Sequence, residues 1–390
     1  MTVSRRNFVG GIAAALGYLG VGPDVDLFAQ TQGAAGAAPR VRAPLDDYDS
    51  FAKLASNENN YGPPESVMKA MNNAWKYSNR YGYPDGNILQ EIAKHHGVKN
   101  ESILLTAGSG EALDVIGTTF LQGGKKVLGV EPSYSSVYQH ATSIKSTAIK
   151  LPLGKDYRQD IPAMIKAAND HASEIGLIYL CNPNNPTGLI VTKQEVKQLL
   201  DGIPKDMPVL IDEAYHHFVD SPDYESSMKY VVEGRPVIVC RTFSKIAALA
   251  AMRLGYGIAP AELIKKVRTF TTGSQSITVK FGGAASVKDT AGQAKTKALN
   301  KQIREDTIAK LKALGYEVLP SEANFFMVGL KREVSEVAPE FQKREVMVGR
   351  PFPPMTQHLR VSVGTQAEMD KFVAAFKEIM AAPAKATVGV

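Results

Sequence analysis

Five short apolar runs, Ile103-Leu104-Leu105, Val127-Leu128-Gly129-Val130, Leu177 to Cys181, Val209-Leu210-Ile211 and Val237 to Cys240, recur between stretches of helical periodicity. Each is apolar on both faces, which predicts strands covered on both sides, and strands separated by helices pair in parallel. Leu254 to Ala259 continues as another strand. The predicted fold class is α/β, a three-layer, mainly parallel sheet between helices. Beyond about Lys288 the pattern changes. A charged helix over Gln293 to Leu314, closed by Gly315, precedes short strands at Tyr316 to Leu319, Asn324 to Val328, Val346 to Val348 and Leu359 to Val363. A last helix covers Gln366 to about Met380. This order predicts a smaller α+β C-terminal domain over 288–385 and a large domain over 86–287. An N-terminal arm and first helix (Ser66 to Trp75) are expected over 39–85.

The chain has 390 residues, 44% hydrophobic and 22% charged, more than one ordinary core accommodates and the make-up of a globular enzyme. Its formal charge of +6 is spread out, and no block of five or more Lys or Arg occurs, which argues against a nucleic-acid partner. The N-terminus is different. Ser4-Arg5-Arg6-Asn7-Phe8 precedes a Gly/Ala-rich apolar run from Val9 to Gly22, with no acid before Asp24. That is the layout of a signal peptide, with small residues for cleavage near Ala29 or Ala35-Gly36-Ala37. The paired arginines resemble a twin-arginine signal, read by export machinery that moves folded proteins. Residues 1–38 are therefore expected to be leader and linker, and the protein periplasmic, with its cofactor loaded in the cytoplasm. A basic tail or a short anchor is the alternative. The run is too short and Gly-rich to span, so no stable membrane insertion is expected after processing. Cys181 and Cys240 lie in or just after apolar runs and read as buried, reduced core residues.

Lys245 follows the Val237 to Cys240 run, eight residues before Arg253. Nearby cations and partial desolvation lower a lysine pKa, which frees its amine to form an imine with an aldehyde. Ser244 and Arg253 each reach a phosphate, one by hydroxyl donation and the other by a charge-assisted fork. Asp212 ends Val209-Leu210-Ile211 at the carboxyl edge where α/β sheets place ligands. Alone it reads as a helix cap; beside Lys245 it is a carboxylate that keeps a pyridine nitrogen protonated, with Tyr215 as a phenol for the ring oxygen. Together these residues are the protein half of pyridoxal phosphate chemistry. Asn185, in the turn Cys181-Asn182-Pro183-Asn184-Asn185-Pro186-Thr187-Gly188, is held by its following proline and placed beside the ring. Gly108, Ser109, Gly110 and Glu111 lead from a strand into a helix, an anion site built from backbone amides. Glu213, His216 and His217 are close in sequence, but no matching ligand cluster exists elsewhere, so no metal is expected.

With these motifs the chain resembles the fold-type I aminotransferases, and within them it is most similar to the histidinol-phosphate aminotransferase family. The match runs from about Leu54 to the final helix. Further markers are Asn57-Glu58-Asn59-Asn60-Tyr61-Gly62-Pro63, Arg80-Tyr81-Gly82-Tyr83-Pro84-Asp85-Gly86, Pro132-Ser133-Tyr134 and Leu359-Arg360-Val361-Ser362-Val363-Gly364. The resemblance implies a pyridoxal 5'-phosphate-binding large domain, Tyr134 stacked on the pyridine ring, and an obligate homodimer with shared active sites. In that dimer Tyr83 reaches the neighbouring subunit's cofactor phosphate. The segment Arg80 to Asp85 is longer than usual, so Tyr81 is the alternative. Arg360 is implied to clamp the substrate α-carboxylate with Asn324 assisting, Tyr61 to face the substrate side chain, and Arg350 to contact a substrate phosphate. On its alternating strand alone, Arg360 reads as a surface residue.

The expected activity is transfer of an amino group between an L-amino acid, histidinol-phosphate-like or aromatic, and a 2-oxo acid by a ping-pong mechanism, with Lys245 moving the α-proton and Asp212 stabilising the negative charge. A decarboxylase or an oxygen-using oxidase of the same fold is the rival, and a non-catalytic small-molecule-binding protein is the rival of another class. Histidinol phosphate is a cytoplasmic intermediate that an exported enzyme would rarely meet.

Overall fold

The computed structural model describes residues 45–381. The leader and linker expected over 1–38 lie outside the described residues. Eleven strands follow in chain order: β1 (Ala52–Lys53), β2 (Ile103–Thr106), β3 (Lys126–Glu131), β4 (Ala148–Pro152), β5 (Ile175–Cys181), β6 (Val209–Asp212), β7 (Val237–Thr242), β8 (Gly255–Ile258), β9 (Phe325–Gly329), β10 (Val346–Met347) and β11 (His358–Ser362). Seven form one sheet in the order β2-β8-β7-β6-β5-β3-β4. Strand β8 is antiparallel to both neighbours, β2 and β7, and the other pairings in this sheet are parallel. All four residues of β6 and all six of β7 are buried, which is why each strand opens with an apolar run rather than an alternation before reaching its polar end.

Helices cover the sheet, and their ends are set by local chemistry. Lys193–Gly202 opens with a capping box between Thr192 and Glu195, which satisfies two helix-start amides at once. Asp160 caps Ile161–Asp170 by accepting from the Ala163 amide. The first helix, Glu65–Ala74, packs on Ile277–Lys288. Gly282 permits that approach, because a β-carbon there would collide with Met71.

A second core lies beyond residue 288. The long helix Thr290–Ala313, the helices Val334–Gln342 and Gln366–Ala381, the antiparallel pair β9–β11 and the parallel pair β1–β10 enclose Phe326, Val328, Phe341, Leu359, Phe372 and Phe376. Phe341 and Phe372 stack with centroids 5.4 Å apart. The arm thus contributes a strand to this lobe through β1, and the described residues form one compact unit.

Several expectations are corrected. Tyr316 to Leu319 is not a strand but holds a single bridge, Val318 to Val328. The edge strand β4 went unpredicted because its residues are only partly buried or exposed, so no apolar run marks it. The helix Val334–Gln342 was missed as well; it carries Pro339 inside, a residue that reads as a helix breaker. Cys181 and Cys240 are buried and unbridged. Among the described residues no helix is long and apolar enough to cross a membrane.

Candidate active site

Parallel strands deliver their carboxyl ends to one edge, and there the chain changes from apolar to polar. Strand β6 ends in Asp212, β5 runs into the Asn182 to Gly188 turn, and β7 leads to Ser244 and Lys245. Asp212 is buried. Its Oδ1 accepts from the Ala214 amide at 3.1 Å and its Oδ2 from the Tyr179 hydroxyl at 3.3 Å. Burial raises its pKa to about 6, against the pull of those two hydrogen bonds. Lys245 Nζ donates to the Ser56 carbonyl at 3.1 Å and lies 5.9 Å from the Tyr215 ring centroid. Burial, and then the positive charge of Arg360, lowers its pKa to about 8, so about a tenth of the amine is neutral at pH 7, far more than for an ordinary lysine.

A buried hydrogen-bond network joins the two lobes at this point. Arg360 Nη1 donates to Asn185 Oδ1 at 2.7 Å and Nη2 to the Ala55 carbonyl at 2.6 Å. Asn185 Nδ2 donates to the Tyr215 hydroxyl at 3.1 Å. Asn324 Nδ2 donates to the carbonyls of Asn57 and Glu58. Arg360 is 6% exposed, so its surface reading from strand alternation is wrong. The guanidinium sits 4.8 Å from the Phe352 centroid and 5.6 Å from that of Phe325, apolar rings that shield it from water while its N–H groups reach polar partners.

The residues expected to form an anion cradle lie around one helix start. The helix Gly108–Leu121 begins directly after β2, with Gly108 at φ 82°, a conformation that favours glycine. A side chain on Gly108 would collide with the Arg253 guanidinium, which also donates to the Ala250 carbonyl at 2.8 Å. Ser109 and Gly110 follow in the first turn of that helix. Ser244 Oγ accepts from Thr242 Oγ1 at 2.8 Å. Tyr134 stands nearby, its pKa raised to about 12 by burial and then by the charge of Asp212, with Arg253 opposing. Glu111, expected among the cofactor-binding residues, instead accepts from the amides of Ala107 at 2.6 Å, Gly273 at 2.7 Å and Thr272 at 3.3 Å. Its carboxylate ties the 272–273 loop to the helix start.

Other expected residues lie at the rim or outside. Tyr61 is half exposed and lines a small cavity with Glu58 and Asn324. Tyr81 and Tyr83 are exposed at 104% and 76%, so neither is buried in the site of its own chain. Arg350 donates to the Pro351 carbonyl at 2.9 Å, its guanidinium 4.4 Å from the same Phe352 ring that Arg360 approaches. Glu213 is held by Arg241 at 2.8 Å, both buried, and among the described residues no group of three or more His, Cys, Asp or Glu is arranged for a metal. Sequence reasoning passed over Asn57, Phe352 and the Glu213–Arg241 pair. Asn57 stood in an asparagine-rich run without periodicity, and its partners lie up to 305 positions away, so only the fold reveals it.

A doubly covered, mostly parallel sheet with a buried lysine, a buried aspartate and a glycine-opened helix start at one edge defines an α/β enzyme of the fold-type I group. The family profile described as aminotransferase class I and II matches residues 49–376, and the chain belongs to that family. It is 34% identical over 337 residues to a histidinol-phosphate aminotransferase of Moorella thermoacetica, covering 84% of this chain and 85% of the relative. It is 32% identical over 339 residues to one of Caldicellulosiruptor saccharolyticus, covering 85% and 92%. Among solved structures, the Sinorhizobium meliloti histidinol-phosphate aminotransferase in complex with pyridoxal-5'-phosphate superposes with a TM-score of 0.79 at 22% identity, over 89% of this chain and 99% of that one.

Proposed function

We propose that this aminotransferase uses pyridoxal 5'-phosphate to move the amino group of histidinol phosphate, or of an amino acid with an imidazole or aromatic side chain, to a 2-oxo acid. The residues fit the cofactor. The observation that carries this is the meeting, at one buried edge, of a lysine with a lowered pKa, a buried carboxylate and an arginine held by an asparagine amide. Bound there, pyridoxal phosphate supplies an electron-withdrawing ring that stabilises negative charge on the carbon beside the amine. Lys245 Nζ would hold the aldehyde carbon and later carry the proton from the substrate Cα. Asp212 would keep a proton on the ring nitrogen, and its burial would make that ion pair strong. Ser109, Gly110, Ser244 and Arg253 would take the phosphate, and Tyr134 the ring face. Arg360, with Asn324 assisting, would bind the α-carboxylate of an amino or oxo acid, or the phosphate of histidinol phosphate, which has no carboxylate, and Asn185 and Tyr215 would serve the ring oxygen.

The two histidinol-phosphate aminotransferase relatives support the substrate class, and Arg350, its guanidinium over Phe352, is a second cation for the phosphate of such a substrate. The exposed Tyr81 and Tyr83 support a homodimer in which a second subunit covers them. The Arg5-Arg6 leader layout supports twin-arginine export to the periplasm, and for an exported enzyme the imidazole or aromatic amino acid takes precedence over histidinol phosphate as donor. The test is a half-reaction screen: holoenzyme is mixed with histidinol phosphate or single amino acids, and the cofactor absorption band is followed together with the carbonyl product. Conversion by histidinol phosphate or an aromatic donor, without carbon dioxide or peroxide, supports transamination of that class. Release of either gas-phase carbon or peroxide moves the reading to decarboxylation or oxidation. Cell fractionation of the full chain, with Arg5 and Arg6 changed to Lys as control, tests export.

A further inference from the structure

Asn57 sits on the arm between the lobes, 1% exposed and at φ 53°, in the left-handed region that few residues other than Gly and Asn tolerate. All four of its hydrogen-bonding groups are engaged with residues of the site. Its backbone amide donates to Ser362 Oγ at 2.7 Å, and its carbonyl accepts from Asn324 Nδ2 at 3.0 Å. Its Oδ1 accepts from Ser362 Oγ at 3.0 Å, and its Nδ2 donates to the Tyr215 hydroxyl at 3.1 Å.

The direction of the Tyr215 proton follows from counting. Asn185 Oδ1 is taken by Arg360, which can only donate, so Asn185 must present its Nδ2 to Tyr215. Ser362 Oγ accepts from the Asn57 backbone N–H and gives its own proton to Asn57 Oδ1, which leaves the Asn57 side-chain nitrogen toward Tyr215. The phenol oxygen therefore receives two N–H donors, and its own O–H has to point in a third direction. The ring is held edge-on against Phe325, centroids 5.0 Å apart at 79°, which leaves little rotation about the phenol. The charged groups around it are Arg360 and Asp212, with Lys245 over its ring. Burial raises the phenol pKa, opposed by Arg360 and the Asn57 hydrogen bond.

We propose that Asn57 is a positioning residue that fixes the Tyr215 hydroxyl as a hydrogen-bond donor to the ring oxygen of the bound cofactor. The Asn185 amide is tied to Arg360, the group that binds substrate carboxylate, whereas Asn57 is tied to Ser362 and Asn324. Asn57 is thus the donor whose own anchors do not include the arginine that receives substrate. The proposal rests on the pyridoxal phosphate reading of the site, and borohydride reduction separates the two: a protein that gains no label on Lys245 removes the cofactor reading itself.

The test uses holoenzyme carrying Asn57→Asp, Asn57→Ala, Tyr215→Phe and the combination of Asn57→Asp with Tyr215→Phe. Asn57→Asp keeps the acceptor for Ser362 and replaces the N–H toward Tyr215 by an oxygen that draws the phenol proton inward. The readout is the pH midpoint of the absorption change of the Lys245-bound cofactor, with the thermal midpoint measured alongside. Loss of a hydrogen bond to the ring oxygen disfavours the unprotonated, negatively charged form, so the midpoint rises. We expect Asn57→Asp to raise it by about one pH unit, Asn57→Ala to raise it less, and Asn57→Asp to add nothing once Tyr215 is Phe. An equal shift from Asn57→Asp in both backgrounds overturns the proposal, because a new charge acting directly needs no tyrosine. So does a labelled, folded Asn57→Asp protein with an unchanged midpoint. If Asn57→Ala is too unstable to assay, the Asn57→Asp comparison decides alone.

Discussion

The Arg253 guanidinium occupies the space that a side chain on Gly108 would need. In the proposed phosphate cradle that contact leaves no room for a methyl group, which would also meet the cost of φ 82°. Gly108→Ala should weaken pyridoxal phosphate binding by about 1–3 kcal/mol, roughly ten- to hundred-fold. Fluorescence titration of the cofactor-free protein measures it, and far-UV circular dichroism should stay unchanged.

Lys245 should become reactive at a pH below that of an ordinary lysine. With its pKa lowered to about 8, the neutral amine of cofactor-free protein grows in as pH rises through 8, and labelling by an aldehyde followed by borohydride should have its midpoint there. After burial, Arg360 is the largest cause. Arg360→Gln should therefore move the midpoint upward, and Lys245→Ala should remove the labelled peptide.

Asp212→Asn tests the division of labour between two neighbouring groups. The amide cannot hold a proton on the ring nitrogen, so turnover should fall by about two to three orders of magnitude. Labelling of Lys245 should survive. Loss of both would mean that Asp212 builds the pocket instead of tuning the ring.

The buried pair Glu213 and Arg241, 2.8 Å apart, also holds Ser226 through Arg241 Nη2 at 2.7 Å. Glu213→Gln leaves a buried guanidinium without its counter-charge and should cost about 3–5 kcal/mol. Replacing both by Met should cost much less. Urea denaturation at neutral pH separates these outcomes.

Acid should unfold the protein from below pH 6.5. His96 hydrogen-bonds the Tyr256 hydroxyl at 3.1 Å, and burial, then the charge of Arg241, lowers its pKa to about 2. His216 and His217 are lowered as well, burial again first. As pH falls through 6.5 the unfolded chain binds protons that the folded one does not. Stability therefore drops between 6.5 and about 2, by about 1.4 kcal/mol per pH unit for each such histidine. His96→Gln should flatten the slope by one proton, which urea midpoints measured from pH 7 to 5 would reveal.

The local parts of this site were legible in the sequence and the distant ones were not. Lys245 and Arg253 sit on one short excursion that closes where the Phe243 amide meets the Leu254 carbonyl at 3.0 Å, so their spacing carried meaning. Asp212 was readable because β6 is buried on both faces and needs an apolar run before it. Direction was not readable: nothing in Leu254 to Ala259 says that β8 runs against β2 and β7, since a connection of that length permits either sense. Arg360 misled for a different reason. Alternation separates inside from outside only when the inside is apolar, and here a charge faces inward onto Phe325 and Phe352.

Residues 52–57 are among the first described residues of the chain, yet their partners are nearly its last: Ala52 bonds Glu345, Leu54 bonds Met347 and Ser362, and Asn57 bonds Ser362. On a ribosome this segment emerges early and must wait for these backbone partners until about three hundred residues have followed it. The segment whose Ser56 carbonyl meets the lysine is therefore among the last pieces to settle, and a chain stalled before β11 can build the sheet but not a finished reaction chamber.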